Sequence, residues 1–333
     1  MTGGVTMQHA TVDVTFVGGG PVALYGLFYA GMLGLSTRVI ESLPELGGQL
    51  TALYPEKKIY DVPGFPSVLA RDLVAQLRQQ ASRFLQDVRT GETVQHLRPL
   101  ADGGYLLQTG VGEYPSRTVI ITSGAGAFTP RKLQLPEAEQ FEGRGIQYTV
   151  SRLEDFRNRS VLVVGGGDSA VDWALTLQPV AARVTLIHRR GQFRAAWESV
   201  QQLLNSGVDV RLYHEIKRLE GGERLEAAVI YDNRSGEECR LPVDEIVLAL
   251  GYVPNLGPIR SWGLELEGDS IVVRSDMSTN LPGIFAAGDV VTYPGKVKLI
   301  ATGFGEVATA VASARRFVNP AARTPVHSSS LKW

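Results

Sequence analysis

The sequence predicts an α/β chain of two Rossmann-like dinucleotide-binding domains, one inserted into the other. Three observations predict it. Two β-branched apolar runs, VDVTFVGGGPVA and SVLVVGGGDSA, each lead into three glycines and then a helical pattern. Each is followed at equal distance by a second apolar run, TRVIESL from Thr37 and VTLIHRR from Val184. The chain has 333 residues, 44% of them apolar, which is enough for two cores.

The elements follow in order. The first unit reads as a strand over 12–17, a helix over 21–34 and a strand over 37–41, then a Gly/Pro-rich loop, ELGGQLTALYPEKKIYDVPGFP. Leu69, Leu73, Leu77 and Phe84 recur at helical spacing and predict a helix over 68–86. Short alternating strands are expected near 92–97, 104–109 and 116–122, the last running into TVIITSGAGAF. The pattern restarts at Ser160 with a strand over 161–164, a helix over 168–178 and a strand over 183–188. A helix near 192–205 and further strands follow, closing at IVLALGYVPN, residues 246–255. A long helical pattern spans 298–318, and the tail NPAARTPVHSSSLKW has no periodicity. TVIITSGAGAF and EIVLALGYVPN both exit a strand at a glycine, so the chain is expected to cross between domains near 125 and 254. That places one domain in 1–125 plus 255–333 and the other in 126–254.

The glycines carry the chemistry. Gly18, Gly20 and Ala23 fit G-x-G-x-x-G/A, and so do Gly165, Gly167 and Ala170. The first glycine permits the tight turn, the second lets the backbone approach a pyrophosphate, and the small third residue lets the helix pack on the strand. Phosphates would then sit on free N–H groups at the helix N-terminus, where Pro21 opens one helix and Asp168 and Ser169 the other. The ribose-reading position follows about 20 residues on. Glu41 and His188 both stand 23 residues beyond their first glycine (41 − 18 and 188 − 165). A carboxylate at Glu41 accepts hydrogen bonds from a ribose 2′-OH and repels a 2′-phosphate. His188, Arg189 and Arg190, with Arg194 close behind, would attract one. The charge difference predicts two different cofactors on one chain.

Composition narrows the class. Lys plus Arg number 33 and Asp plus Glu 34, for a net charge of −1, so the balance suggests neither nucleic acid nor a membrane surface. The opening MTGGVTMQHATVD lacks the basic and apolar regions of a secretory signal, and no run of 18 apolar residues occurs. A cytoplasmic protein is expected. Cys239 is the one cysteine, so no intrachain disulfide, thiolate metal cage or C-x-x-C redox pair can form.

The two glycine turns, the TSGAGAF strand end and GIFAAGDV near the C-terminus together resemble the two-dinucleotide-domain flavoprotein disulfide reductases, and the compact length their thioredoxin-reductase-like branch. Thioredoxin reductases carry C-x-x-C just before the second glycine turn; this chain has YTVSRLEDFRNRSVLVVGGG there. What remains is similar to the thioredoxin-reductase-like ferredoxin (or flavodoxin)–NADP⁺ reductases. IESLPELGGQLTALYPEKKIYDVPGFP, GGGDSAVDWAL, HRRGQFRA, GIFAAGDVVTYPGKVKLIATGFGE and VHSSSL carry that resemblance. Ala23 stands where a glycine is common.

The resemblance implies FAD in the discontinuous domain and NADPH in the inserted one. FAD contacts carry over to Gly18, Gly20, Pro21, Glu41, Gln49, Tyr54, Val94, Phe128, Asp289, His327 and Ser329. Tyr54 would stack on one flavin face, His327 would cover the other, and Asp289 would approach the ribityl chain. NADPH contacts fall on Gly165, Gly167, Asp168, Ser169, His188, Arg189, Arg190 and Arg194. A homodimer is implied, and no residue is expected to act as acid or base. Electrons would pass from NADPH to the flavin as hydride and leave singly to ferredoxin or flavodoxin. Such a partner is acidic, and Lys57, Lys58, Lys296, Lys298, Arg315 and Arg316 are candidates for a basic rim. Two other readings stand beside this one: an NADPH oxidase or reductase of another small acceptor, and a non-catalytic flavoprotein that senses NADPH or redox state.

Overall fold

The structure, a computed structural model, describes residues 9–101, 103–124, 126, 129–253 and 255–323. Contacts divide the chain into two compact units: Leu53–Lys57 with Thr129–Val253 form one, and the remaining described residues form the other.

The path begins with β1 (Val12–Val17), α1 (Pro21–Met32) and β2 (Thr37–Glu41). Next come α2 (Ala70–Ala81), β3 (Val88–Thr90), β4 (His96–Pro99), β5 (Tyr105–Gln108) and β6 (Glu113–Ile121). Within the second unit lie β7 (Ile146–Gln147), β8 (Ser160–Gly165), α3 (Asp168–Leu177), β9 (Arg183–His188), α4 (Trp197–Leu204) and β10 (Asp209–Leu212). The same unit continues with β11 (His214–Gly221), β12 (Leu225–Asp232), β13 (Glu238–Pro242) and β14 (Glu245–Ala249). The chain returns to the first unit with β15 (Ile284–Ala286) and α5 (Ile300–Val318).

In the first unit the sheet runs β3-β2-β1-β6-β5-β4, with β15 also on β6. β3, β2, β1, β6 and β15 are parallel, while β5 runs antiparallel between β6 and β4. Val14, Phe16, Val119 and Ile121 are buried on the sheet, as are Leu24 and Leu27 of α1 and Val307 and Val311 of α5. Buried Leu73, Val74 and Leu77 line one face of α2 at i, i+1, i+4 spacing, each contributing roughly 1.5–3 kcal/mol.

The second unit holds a parallel sheet, β7-β14-β8-β9-β10, and an antiparallel one, β11-β12-β13. Leu162, Ile187, Ile246 and Leu248 meet Ile216, Ala228, Ile230 and Leu241 of the antiparallel strands. On the other face Val161, Val163 and Leu186 pack on Val171, Trp173 and Leu177 of α3 and Leu203 of α4.

The registers show the duplication. Val17 lies beside Ile40 in one sheet and Val164 beside Ile187 in the other, the same offset of 23 residues (40 − 17 and 187 − 164).

The clearest departures from the expected element boundaries are in three places. The helix expected over 68–86 is shortened to Ala70–Ala81, because Val68–Leu69 pair with Lys58–Ile59 and a 3₁₀ turn at Ser82–Phe84 lays the Phe84 ring over Gly31. The strand expected over 92–97 starts at His96; Glu92 instead donates its N–H to the Glu41 carbonyl. The helix near 192–205 is confined to α4, because the residues before it fold back onto the second glycine turn. The strand before the second crossing runs Glu245–Ala249 and exits at Gly251 (φ 87°), as expected.

Candidate functional site: two matched glycine turns

The two turns have matching geometry. Gly18 takes φ 101°, and a Cβ there would stand 2.7 Å from the Thr122 carbonyl at the end of β6. Gly165 takes φ 159°, and its Cβ would stand 2.4 Å from the Ala249 carbonyl at the end of β14. Each is pressed against the next strand's backbone, where only glycine fits. Gly20 and Gly167 are the N-caps of α1 and α3, both extended (φ −70°, ψ −175° and φ −100°, ψ −178°) and both without a side-chain cap. A Cβ on either meets nothing within 4 Å. The helix N-termini therefore face open space with free N–H groups, which is what a pyrophosphate needs. Ala170 supplies the small third residue, its Cβ only 2.9 Å from the position a Gly165 Cβ would take.

At the first turn Glu41 is 6% exposed. One carboxylate oxygen accepts the Gly19 N–H at 2.6 Å; the other accepts the Leu43 N–H at 2.9 Å and the Ser42 hydroxyl at 3.1 Å. A carboxylate has about four lone-pair sites, so capacity remains for a ribose hydroxyl. Gly47 donates its N–H to the Gly19 carbonyl, and Gly48 packs against Gly20. This brings Gln49 to the turn, its amide near Gly124. Val94 is buried in the loop that follows Glu92. The buried Ser123 hydroxyl, beside Gly18, has no hydrogen-bond partner among the described residues.

Asp289 comes to the same end of the sheet by another route. Ala287, just after β15, donates its N–H to Ile121, and Gly288 packs on Val22 in the first turn of α1. Burial is the main cause that pushes the Asp289 carboxyl above the usual carboxylate range; Lys296 and Lys298 oppose it, while Glu306 and Asp61 add to it. Glu306 was not among the residues expected from sequence. It is 4% exposed on α5 and accepts the Gly288 N–H at 2.8 Å, the Tyr293 hydroxyl at 2.6 Å and the Lys296 ammonium at 2.5 Å. Burial, then the bond to Glu306, push the Tyr293 hydroxyl up to about 12, so it keeps its proton and donates. The only sequence signal was the run GDVVTYPGKVKL–GFGE, whose spacing does not say that its ends meet.

At the second turn the chain after β9 folds over the glycines. Arg194 donates its N–H to the Gly166 carbonyl at 2.7 Å, and Ala196 donates to the Asp168 carboxylate at 2.8 Å. Asp168 thus ties the start of α3 to the start of α4. Ser169 is exposed in the first turn of α3. His188 lies half-buried under Gly166, where a Cβ would meet its ring at 2.1 Å; it stacks on Phe193 and bonds the Gln192 carbonyl through Nε2 at 3.1 Å. Burial first, then the nearby Arg190, Arg189 and Arg194, hold its pKa below the usual histidine value. Its charged form is disfavoured, so the exposed Arg189, Arg190 and Arg194 carry the positive charge at this position.

The remaining expected residues fall elsewhere. Tyr54 belongs to the segment grouped with the second unit, and its ring packs on the cluster around Trp173 and Leu177. Phe128, His327 and Ser329 lie outside the described residues. Two of the six proposed rim cations are not free. Lys296 is 6% exposed in its pair with Glu306, and Lys57 pairs with Asp172 at 2.8 Å. A buried cation cannot reach a partner's surface, so Lys296 leaves the rim; Lys58, Lys298 and Arg316 stay exposed and Arg315 is half-buried. Among the described residues there is no metal-holding cluster, and no helix is long and apolar enough to cross a membrane.

Comparison with known proteins gives the chain's relatives. Residues 12–314 match the pyridine nucleotide-disulphide oxidoreductase family. A ferredoxin–NADP reductase from Halalkalibacterium halodurans is 50% identical over 98% of this chain and 100% of its own. One from Symbiobacterium thermophilum is 51% identical over 95% of this chain and 96% of its own. Among solved structures, a thioredoxin reductase from T. acidophilum superposes with a TM-score of 0.82 at 24% identity, covering 94% of this chain and all of that one, a likeness of fold.

Proposed function

The chain belongs to the pyridine nucleotide-disulphide oxidoreductase family, in its thioredoxin-reductase-like ferredoxin–NADP reductase branch, and on that premise we propose that it carries electrons from NADPH through bound FAD to ferredoxin or flavodoxin. The observation that supports the cofactor pairing is the matched pair of glycine turns. One is followed by a buried carboxylate, the other by three exposed arginines. Coulomb's law sorts the ligands: a 2′-phosphate is repelled at Glu41 and attracted at Arg189, Arg190 and Arg194.

In this reading the first unit holds FAD. The α1 N-terminus at Gly18–Pro21 takes its pyrophosphate, Glu41 its ribose, and Gln49, Val94 and Asp289 border the site. Phe128, His327 and Ser329 join that set by resemblance to the family. The second unit holds NADPH, with its pyrophosphate at Gly165–Ser169 and its 2′-phosphate at the arginines. The bound flavin supplies the step between two-electron and one-electron transfer; the protein binds, orients and excludes water, with no acid or base of its own. A cytoplasmic homodimer completes the reading. The single cysteine excludes a dithiol relay.

The test replaces Arg189 and Arg190 by alanine. Charge-assisted bonds to phosphate contribute roughly 1.5–3 kcal/mol each, so the KM for NADPH should rise about a hundredfold or more. The KM for NADH should hardly move. Equal losses with both would sink the assignment. Ferricyanide, ferredoxin and flavodoxin offered in turn separate the alternatives: an enzyme for another acceptor reduces only ferricyanide, and a sensor turns over none.

A further inference from the structure

The loop that carries Arg189 and Arg190 is held from behind by residues far away in sequence. Asn233, in the turn after β12, donates one amide N–H to the Arg189 carbonyl at 2.9 Å and makes a second bond to the Glu215 carboxylate at 3.0 Å. Its own backbone N–H donates to the Tyr213 carbonyl at 2.8 Å. Tyr213, between β10 and β11, sits at φ 62°, a left-handed conformation unfavourable for an aromatic residue. The strain places its hydroxyl against Gly191, where a Cβ would stand only 2.0 Å away. The Arg234 guanidinium covers the ring from 3.8 Å and is itself clamped to Asp232 at 2.8 Å. Asp232 also accepts the backbone N–H groups of Arg234 and Ser235, which fixes the turn.

Strain retained at a surface loop marks a constraint that the surroundings impose. Here the constrained atoms are the backbone of Arg189–Gly191. Arginine–phosphate bonds are directional, and their strength depends on where that backbone holds the two side chains. We infer that Asn233 and Tyr213 are positioning residues which set the preference for a 2′-phosphorylated dinucleotide by bracing Arg189–Gly191 from below. The inference rests on the 2′-phosphate reading of the arginines.

The experiment titrates the holoenzyme calorimetrically with 2′,5′-ADP and with 5′-AMP. Asn233→Ala should weaken 2′,5′-ADP about tenfold and leave 5′-AMP within about twofold. Asn233→Asp, which cannot donate to Arg189 and faces Glu215 with a like charge, should do the same. Tyr213→Gly, which accepts the left-handed backbone without strain, keeps the fold but removes the support, and should match them. In turnover these variants should raise the KM for NADPH with kcat and the KM for NADH unchanged. Equal weakening of both probes would reduce the pair to an ordinary structural role and overturn the inference, as would unchanged 2′,5′-ADP affinity. Arg189→Ala/Arg190→Ala is measured alongside. If that variant keeps full 2′,5′-ADP affinity, the phosphate reading itself falls; if it loses affinity while Asn233→Ala does not, only the brace falls.

Discussion

At the scale of single residues, equivalent positions carry opposite work. Glu41 is a buried acceptor and His188 a half-buried ring under a glycine. Because His188 titrates below its usual range when folded, its neutral form is the favoured one. Its contribution to stability is present above the ordinary histidine pKa and is lost as pH falls through that value toward the lowered one. In an NMR titration the His188 ring should change below its ordinary value of about 6.5. Adding 2′,5′-ADP should raise that pKa, since a nearby dianion favours imidazolium. No movement on ligand addition would confine His188 to supporting the turn. Asp289 has the reverse sign for the folded protein. Its raised pKa means that its stabilising contribution is present below the ordinary carboxylate range and lost as pH rises through the raised value. Asp289→Asn should therefore stabilise the cofactor-free protein at neutral pH, a gain that vanishes in acid. The same change should weaken FAD by about tenfold or more if Asp289 bonds the cofactor. Thermal melts with and without FAD read both effects, and unchanged FAD affinity would remove Asp289 from the site.

At the scale of elements, β2 depends on one buried cation. Arg38 is 1% exposed; its Nε donates to Asp87 at 2.7 Å, and its other nitrogens donate to the Pro115 carbonyl at 3.1 Å and the Ala10 carbonyl at 2.9 Å. One side chain thereby joins β2 to the approach to β3, to β6 and to the segment before β1. Arg38→Met would leave two carbonyls and part of a carboxylate unsatisfied, although Arg89 still pairs with Asp87. The cost should be about 3 kcal/mol in a urea unfolding curve. Lysine should recover only part of it, because a single ammonium cannot reach three divergent acceptors. A loss under about 1 kcal/mol would show that the strand edge holds without this network.

At the scale of the whole molecule, one βαβ plan is used twice and the thiol chemistry of the fold's relatives is missing. Cys239 lies in β13 opposite Ile230, partly buried against the second unit's core, with the Arg211 guanidinium 3.5 Å from its sulfur. That is a packing position. Cys239→Ser should leave NADPH-driven ferricyanide reduction intact, and the wild-type protein should not reduce a thioredoxin disulfide in a coupled assay. Direct thioredoxin reduction, or a large loss of activity in the serine variant, would contradict this.

Much of the fold was legible in the residues themselves. A glycine turn, the strand before it and the next strand 23 residues on are contiguous, so spacing alone aligned Glu41 with His188 and the registers agree. The single cysteine and the arginine cluster needed no structure either. Tertiary structure decided which charges are available. Lys296 looks like any loop lysine until Glu306, ten residues on in the next helix, meets it in the interior. His188 reads as one of the cations in sequence, whereas its burial under Gly166 disfavours the charged form. Asp168 proved to secure the start of α4, and Asn233 reaches Arg189 across 44 residues of chain. Periodicity and glycine placement are properties of neighbours in sequence, whereas burial and pairing are properties of neighbours in space. The repeated βαβ plan therefore lay in the sequence, and the electrostatics of the two turns waited for the fold.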